Sequence, residues 1–140
     1  VSSAKDAFDR YLAVGRPAYV ARELPPPADA IAWIRAAGGV AVLAHPTWAK
    51  VPGEGLSTLL TALKAEGLGG IEVHYSTHTK RQTTEYLDLA KRLDLLITGG
   101  SDFHGLTKPD IEVGTGLGNL KVSEKLLVPL KKAASHAHHS

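Results

Sequence analysis

Short apolar runs alternate with segments of helical periodicity along most of the chain. The runs 40–44, 69–75 and 95–99 are rich in branched apolar residues and predict buried strands. Segments 56–66 and 79–93 place apolar residues at helical spacing and predict helices between the strands. Because strands that alternate with helices of this length form right-handed βαβ units, the pattern predicts an α/β fold with a parallel sheet.

Three further helices are predicted outside this alternation. The first covers residues 5–14 and is followed by a proline-rich connector, 16–27. The second precedes the first strand, and its helical spacing places Trp33 in the core. The third covers residues 122–134. A closed barrel of parallel strands takes roughly 200 to 250 residues, so three strands predict about half of one.

Two of the predicted strands end on side chains that bind metals. The strand 95–99 leads into Asp102 and His104, which share a face if the backbone is extended. The strand 40–44 leads into His45, and Pro46 then ends it because proline cannot donate to a sheet. Since chemistry collects at the carboxyl ends of parallel strands, these three side chains predict a divalent-metal site. The alternatives are a helix-capping aspartate, a surface histidine and a core histidine.

Composition narrows the class of protein. The 140 residues have a net charge of +2 and no cysteine, so any metal must be held by nitrogen and oxygen. The charge is spread without long single-sign runs, which predicts no DNA partner. Neither a membrane span nor a secretory signal is predicted, so a cytoplasmic protein is the expectation. The chain has no methionine and begins at Val1, from which we expect a fragment of a longer polypeptide.

Three segments in this order resemble the carboxyl-terminal half of the PHP (polymerase and histidinol phosphatase) family of metal-dependent phosphoesterases. They read AVLAHP, GIEVHYSTHT and ITGGSDFHG. The resemblance is nearest to the subgroup that hydrolyses nucleoside bisphosphates and short oligoribonucleotides. The opening KDAFDRYLAVGRPAYV is similar to the helical insertion of that subgroup.

The resemblance implies a distorted (β/α)7 barrel, of which residues 27–134 form the carboxyl-terminal half and 1–26 the helical insertion. It implies two or three divalent ions in the intact parent, with His45, Asp102 and His104 as ligands and no catalytic residue beyond them. Manganese, zinc and iron all suit such ligands. The family's opening His-x-His motif has no counterpart here, so the isolated chain is expected to be inactive.

Several other residues have two interpretations. The loop 75–79 suits an incoming phosphate through Ser76 and His78, or else Ser76 or Thr77 caps the next helix. Glu72 and His74 are interpreted as polar lining rather than ligands. Trp48 suits the wall of a pocket that binds a nucleotide base, but the sequence does not decide whether it has this role. The glycine-rich passage 114–118 lacks a nucleotide-loop pattern and predicts a turn.

The expected parent protein is a phosphoesterase that acts on a nucleotide or short RNA. The alternatives are a non-catalytic fragment or a PHP-like accessory module, which completes its sheet by self-association or with a missing amino-terminal half. Residues 135–140 contain three histidines and are expected to be a disordered tail or an engineered remnant.

Overall fold

The computed structural model describes residues 1–51 and 54–137, with side chains described through residue 134. Its centre is a parallel sheet of three strands in the order β1 (Val42–Leu43), β2 (Gly70–Tyr75) and β3 (Leu96–Gly100). Val42 pairs with Gly70, and Gly70 pairs with Leu96. The carboxyl ends of all three strands therefore lie along one edge of the sheet, and the predicted α/β class with parallel strands is confirmed.

Five α-helices surround or extend this sheet in the described residues. They are α1 (Ala4–Ala7), α2 (Pro27–Ala36), α3 (Gly55–Ala65), α4 (Lys80–Arg92) and α5 (Leu127–Ala137). A π-helical turn, Phe8–Leu12, continues α1, and short 3-10 turns lie at Pro46–Ala49, Gly105–Thr107 and Glu124–Leu126. Thr79 caps α4 by a reciprocal bond with Gln82, so the predicted cap at Ser76 or Thr77 is wrong.

The core lies between the sheet and the helices that follow its strands. Ile71 and Val73 of β2 are completely buried, as is Leu60 of α3. Tyr86, Leu89 and Ala90 of α4 complete the cluster with Leu56, Leu68 and Leu95. Burial of these apolar side chains holds α3 and α4 against the sheet. The positions of the strand ends, where the candidate site lies, are fixed by the same packing.

Three predictions change in the structure. Trp33 is 62% exposed, so its predicted core position is wrong; the neighbouring Ile31 is the buried residue of α2. β1 contains two residues instead of five, since the pairing with β2 involves Val42 and Leu43. The last helix begins at Leu127, five residues later than predicted, after the 3-10 turn.

Two terminal and loop predictions have different outcomes. The glycine-rich passage is a turn as predicted, with Glu112 and Gly116 exchanging backbone bonds and Gly114, Gly116 and Gly118 at positive φ. The backbone of 135–137 belongs to α5, while the predicted tail at 138–140 lies outside the described residues. No helix in the described part of the chain is both long and apolar enough to cross a membrane.

Candidate metal centre

The three predicted ligands line a single pocket at the carboxyl edge of the sheet. We call it the His45 pocket; its volume is about 230 Å³. His45 follows β1, Tyr75 ends β2, and Asp102 follows β3, so each of the three strands contributes one wall. Trp48, His104 and Lys108 complete the lining. The parallel order of the strands therefore brings together residues that are far apart in the sequence.

The backbone of His45 has a conformation that residues other than glycine seldom adopt. Its φ is 29° and its ψ 65°, outside the regions that ordinary strands use. Glu72 of β2 accepts a hydrogen bond from the His45 backbone N–H through Oε2 at 2.7 Å. A side chain at Gly100 would lie 3.2 Å from the other carboxylate oxygen of Glu72. Glu72 thus joins the ends of the strands and fixes the backbone from which the imidazole projects.

Asp102 is the most densely bonded side chain of the pocket. Its Oδ2 accepts from the Lys108 ammonium and from the Tyr75 hydroxyl, the latter at 2.9 Å. The Lys108 hydrogen bond is the largest cause of a lowered pKa at this carboxyl, with contributions from Tyr75 and His104. Asp102 therefore stays ionised to a lower pH than an ordinary aspartate, which suits a cation-binding carboxylate.

Asp102 also has an uncommon backbone. Its φ is 57°, in the left-handed region where a residue other than glycine is strained. Asp94 has a similar angle, but it follows the last residues of α4, where such a turn is ordinary. Asp102 follows a strand and not a helix, so the end of a helix does not explain its strained backbone. This strain lies in the candidate site.

The position of His104 leaves one ring nitrogen free for a ligand bond. Its Nδ1 lies 2.7 Å from the Asp102 backbone carbonyl oxygen, which can only accept, so Nδ1 must donate. In the neutral ring the lone pair then lies on Nε2. The side chain is 52% exposed and faces the pocket. This arrangement, a second-layer acceptor that fixes the tautomer, is the usual one for a metal-binding histidine.

Tyr75, at the end of β2, forms one wall of the pocket. Its pKa rises to about 12, first because the ring is buried and then because its hydroxyl bonds to Asp102. The phenol therefore stays protonated and remains a donor at neutral pH. Its ring lies 5.6 Å from the His45 ring and 5.1 Å from the His78 ring, measured between centroids.

The imidazole and carboxylate groups of the predicted ligands are of the kinds that bind divalent cations. They are too few to complete the coordination of an ion. Among the described side chains, in residues 1–51 and 54–134, no three histidine, aspartate or glutamate side chains converge closely enough to hold an ion. The Asp102 carboxylate nevertheless attracts the Lys108 ammonium, which shows that this oxygen favours a positive charge. Imidazole and carboxylate together suit manganese, zinc or iron. The ligand roles of His45, Asp102 and His104 stay predictions.

The two predicted phosphate contacts, Ser76 and His78, lie deeper than the pocket. Ser76 is 2% exposed, and its hydroxyl donates to the Ser101 carbonyl at 2.9 Å. His78 donates from Nδ1 to the Val73 carbonyl, and its ring is packed between Tyr75 and Tyr86. Its Nε2 is buried and has no partner among the described residues. The bonds that both residues make hold the loop after β2 in place, and their substrate roles stay predictions.

Tyr75 and Lys108 are the site residues that the sequence interpretation missed. Tyr75 ends a predicted strand beside two others that end on candidate ligands, and that position was a usable signal. Lys108 lies in a loop whose path no periodicity defines, so nothing in the sequence indicated its contact with Asp102. The interpretation of Glu72 as polar lining agrees with its bond to His45.

Two other cavities lie near α4. One, about 580 Å³, shares Tyr75 with the His45 pocket and is lined by polar and basic side chains, among them His74, Lys80 and Lys121. We call it the basic pocket. The other, about 800 Å³, lies between α3 and α4 and is lined by charges of both signs, such as Arg81, Glu85 and Asp88. It contains none of the predicted ligands.

Comparison with known proteins finds relatives that cleave phosphate esters. A 5'-3' exoribonuclease from Haemophilus influenzae is 39% identical over 104 residues, which are 74% of this chain and 38% of that protein. A 3',5'-nucleoside bisphosphate phosphatase from Chromobacterium violaceum is 33% identical over 114 residues, which are 81% of this chain and 40% of that protein. No protein-family model matches the chain.

A solved structure agrees with these relatives. A Bifidobacterium adolescentis protein described as a metal-dependent phosphoesterase superposes with a TM-score of 0.69 at 30% identity, over 92% of this chain and 44% of that one. The chain thus spans about two fifths of the curated relatives it matches. Its homologues are hydrolases of phosphate esters, including a nucleotide phosphatase and an exoribonuclease.

Proposed function

We propose that the chain is the carboxyl-terminal part of a divalent-metal-dependent phosphoesterase that hydrolyses nucleotides or short oligoribonucleotides. The proposal rests on one observation above the others: His45, Asp102 and His104 line one pocket at the carboxyl edge of a parallel sheet. The homologues, a nucleotide phosphatase and an exoribonuclease, support the same substrate class.

The fold that we propose for the whole protein is a distorted (β/α)7 barrel of the PHP type. Supporting it, the strand order β1, β2, β3 follows the chain order, as in a barrel. All five residues of β3 are only half-buried, so one face of this sheet has room for further strands or loops. Residues 27–134 would then form part of the barrel wall, and 1–26 a helical insertion.

His45, Asp102 and His104 are the residues that would hold the metal. When bound, a divalent ion at such a site polarises a phosphoryl oxygen and lowers the pKa of a bound water toward neutrality. A multinuclear centre needs more ligands than the described residues bring together. We therefore propose that the remaining ligands come from outside this chain and that the chain alone is inactive.

Three other side chains of the pocket would have supporting roles. Tyr75 stays protonated because its pKa is about 12, and its hydroxyl donates to Asp102, so it would orient that ligand carboxylate. Lys108 places its ammonium on Asp102, within the pocket. An ammonium at this position neutralises phosphate charge as a positive point charge. Trp48 is 66% exposed at the pocket rim, where its ring can stack on a base.

The test is hydrolysis by the intact protein that contains this chain. Purified protein, stripped of metal and then supplied with Mn²⁺, should release phosphate from adenosine 3',5'-bisphosphate or shorten a short oligoribonucleotide. Asp102→Asn should reduce the rate by about a hundredfold or more, since it removes a ligand charge without changing the side chain's size. Unchanged activity in Asp102→Asn, or no metal-dependent hydrolysis, would contradict the proposal.

A second candidate is a non-catalytic module that completes its sheet with a partner or a second copy. Large apolar side chains of the segment 1–24 are exposed, including Phe8 at 56%, Leu12 at 49% and Leu24 at 70%. An apolar surface of this kind favours a covering partner. A concentration-dependent dimer in sedimentation experiments, together with no metal-dependent hydrolysis in the intact protein, would favour this candidate.

A further inference from the structure

The basic pocket differs from the other cavities in the sign of its charge. Its titratable lining consists of Lys80, Lys121, His74 and His78, together with the phenol of Tyr75, and no aspartate or glutamate contributes to it. Neither lysine makes an ion pair with another described residue. Two ammonium groups around a cavity without a counter-charge attract an anion.

The start of α4 adds to this charge. Lys80 and Arg81 are its first two residues, and its first turn has no acidic residue. The amino-terminal end of a helix is the positive end of its dipole and normally favours aspartate or glutamate there. Cations at this end raise the local potential at a cost in helix stability, which a bound anion would offset.

The pocket is also polar enough and large enough for a phosphorylated nucleoside. Its volume of about 580 Å³ lies in the range of small-molecule sites. Asn119 lines it and is anchored because its amide donates to the Ser76 carbonyl. His74 faces Gly99 across the sheet, where any larger side chain would collide with the His74 backbone and Cβ.

The basic pocket adjoins the candidate metal centre. Tyr75 lines both cavities, and its ring lies between those of His45 and His78. The two cavities are therefore neighbours that share this one aromatic side chain, and a ligand with two phosphate groups would have to span it to occupy both.

We infer that the basic pocket binds a second phosphate of the substrate, one that is not hydrolysed, chiefly through Lys80 and Lys121. This inference rests on the proposed function for its substrate class. The pocket itself depends on no metal ion, so its binding can be measured separately from hydrolysis.

The experiment is an amide NMR titration of the metal-free chain, in EDTA, with adenosine 3',5'-bisphosphate. Amide shifts should concentrate at residues 74–84 and 119–121 and should be absent with adenosine. The double variant Lys80→Ala/Lys121→Ala should weaken binding roughly fivefold to tenfold, as expected for two exposed charge contacts. The control Lys91→Ala/Lys125→Ala removes two exposed lysines outside the pocket and should bind like the wild type.

Equal weakening in both double variants, or shifts that lie outside these residues, would overturn the inference. Its failure is distinguishable from that of the proposed function. Lysine-dependent binding without hydrolysis in the intact protein would keep the basic pocket and reject the phosphoesterase. Metal-dependent hydrolysis with a KM that Lys80→Ala/Lys121→Ala leaves unchanged would reject the basic pocket alone.

Discussion

At the scale of single residues, Glu72 links the sheet to the candidate ligand His45. Its carboxylate accepts the His45 backbone N–H at 2.7 Å and so stabilises a φ that is unfavourable for histidine. Among the described residues, no backbone carbonyl accepts a hydrogen bond from that N–H. We therefore regard Glu72 as a positioning residue, which acts through His45 and not on a substrate.

Replacing Glu72 by alanine should weaken Mn²⁺ binding by about tenfold, the lower end of what a supporting residue contributes to a metal site. Glu72→Gln keeps an oxygen acceptor for the His45 N–H and should bind within roughly threefold of the wild type. Isothermal titration calorimetry gives both affinities. Glu85→Ala, an exposed glutamate on α4, is the matched control. If the glutamine variant binds as weakly as the alanine variant, the charge of Glu72 acts and not its hydrogen bond.

Lys108 is the residue on which the ionisation of Asp102 most depends. Because the pKa of Asp102 is lower in the folded protein, its carboxylate stabilises the fold above the ordinary pKa of about 4. That contribution is lost as the pH falls through the lowered value. In Lys108→Met the pKa of Asp102 should rise, and less stability should be lost during acidification below about pH 4.

Carboxyl NMR shifts and thermal unfolding between about pH 2 and pH 7 measure these two effects. Lys125→Met, which removes an exposed lysine whose ammonium makes no ion pair with another described residue, serves as the control. An Asp102 titration that is the same in Lys108→Met and in the wild type would show that the ion pair does not form in solution.

At the scale of elements, the glycine turn after the site closes over the loop that follows β2. Gly116 is buried, and a side chain there would lie 2.3 Å from the Ser76 hydroxyl oxygen. Ser76 in turn bonds to the Ser101 carbonyl, next to Asp102. The turn therefore supports the strand ends from which the site projects.

Two alanine substitutions separate this contact from backbone strain. Gly114 and Gly116 both have positive φ, but nothing lies within 4 Å of a side chain at Gly114. Gly114→Ala should cost about 1 kcal/mol of unfolding free energy, from strain alone. Gly116→Ala should cost about 3 kcal/mol, because it also displaces Ser76 from its bond. Urea unfolding compares the two, and equal costs would show that the turn does not pack on Ser76.

The elements were more predictable from the sequence than the contacts between them. Continuous apolar runs identified β2 and β3, and the proline after His45 identified the end of β1. Periodicity could not distinguish Ile31 from Trp33 on α2, because both have helical spacing and only tertiary packing decides which is covered. The length of β1 likewise depends on its one pairing partner, which no local pattern reports.

The candidate site divides in the same way. His45, Asp102 and His104 could be chosen because strand ends have a sequence signature. The bonds of Lys108 and Glu72 could not be predicted, since each depends on how a loop or a neighbouring strand is placed. Ser76 and His78 were chosen for their chemistry, but their burial follows from the packing of Gly116 and of two tyrosine rings.

At the scale of the whole molecule, the sheet presents a partial site and an uncovered face. The three strands place one pocket wall each, while β3 is only half-buried along its length. The chain also spans about two fifths of the relatives it matches. A partial coordination sphere should bind one ion weakly, so metal affinity is the property that connects the fold to the proposed chemistry.

The most direct test of the account is paramagnetic broadening by Mn²⁺ in amide NMR spectra of the chain. Because His136, His138 and His139 could compete for the ion, the protein should have alanine at these three positions. We expect the signals of residues 45 and 102–104 to broaden first, EDTA to restore them, and Asp102→Asn to abolish the effect. Broadening centred elsewhere in a folded chain, or undiminished in Asp102→Asn, would rule out a metal site at these residues.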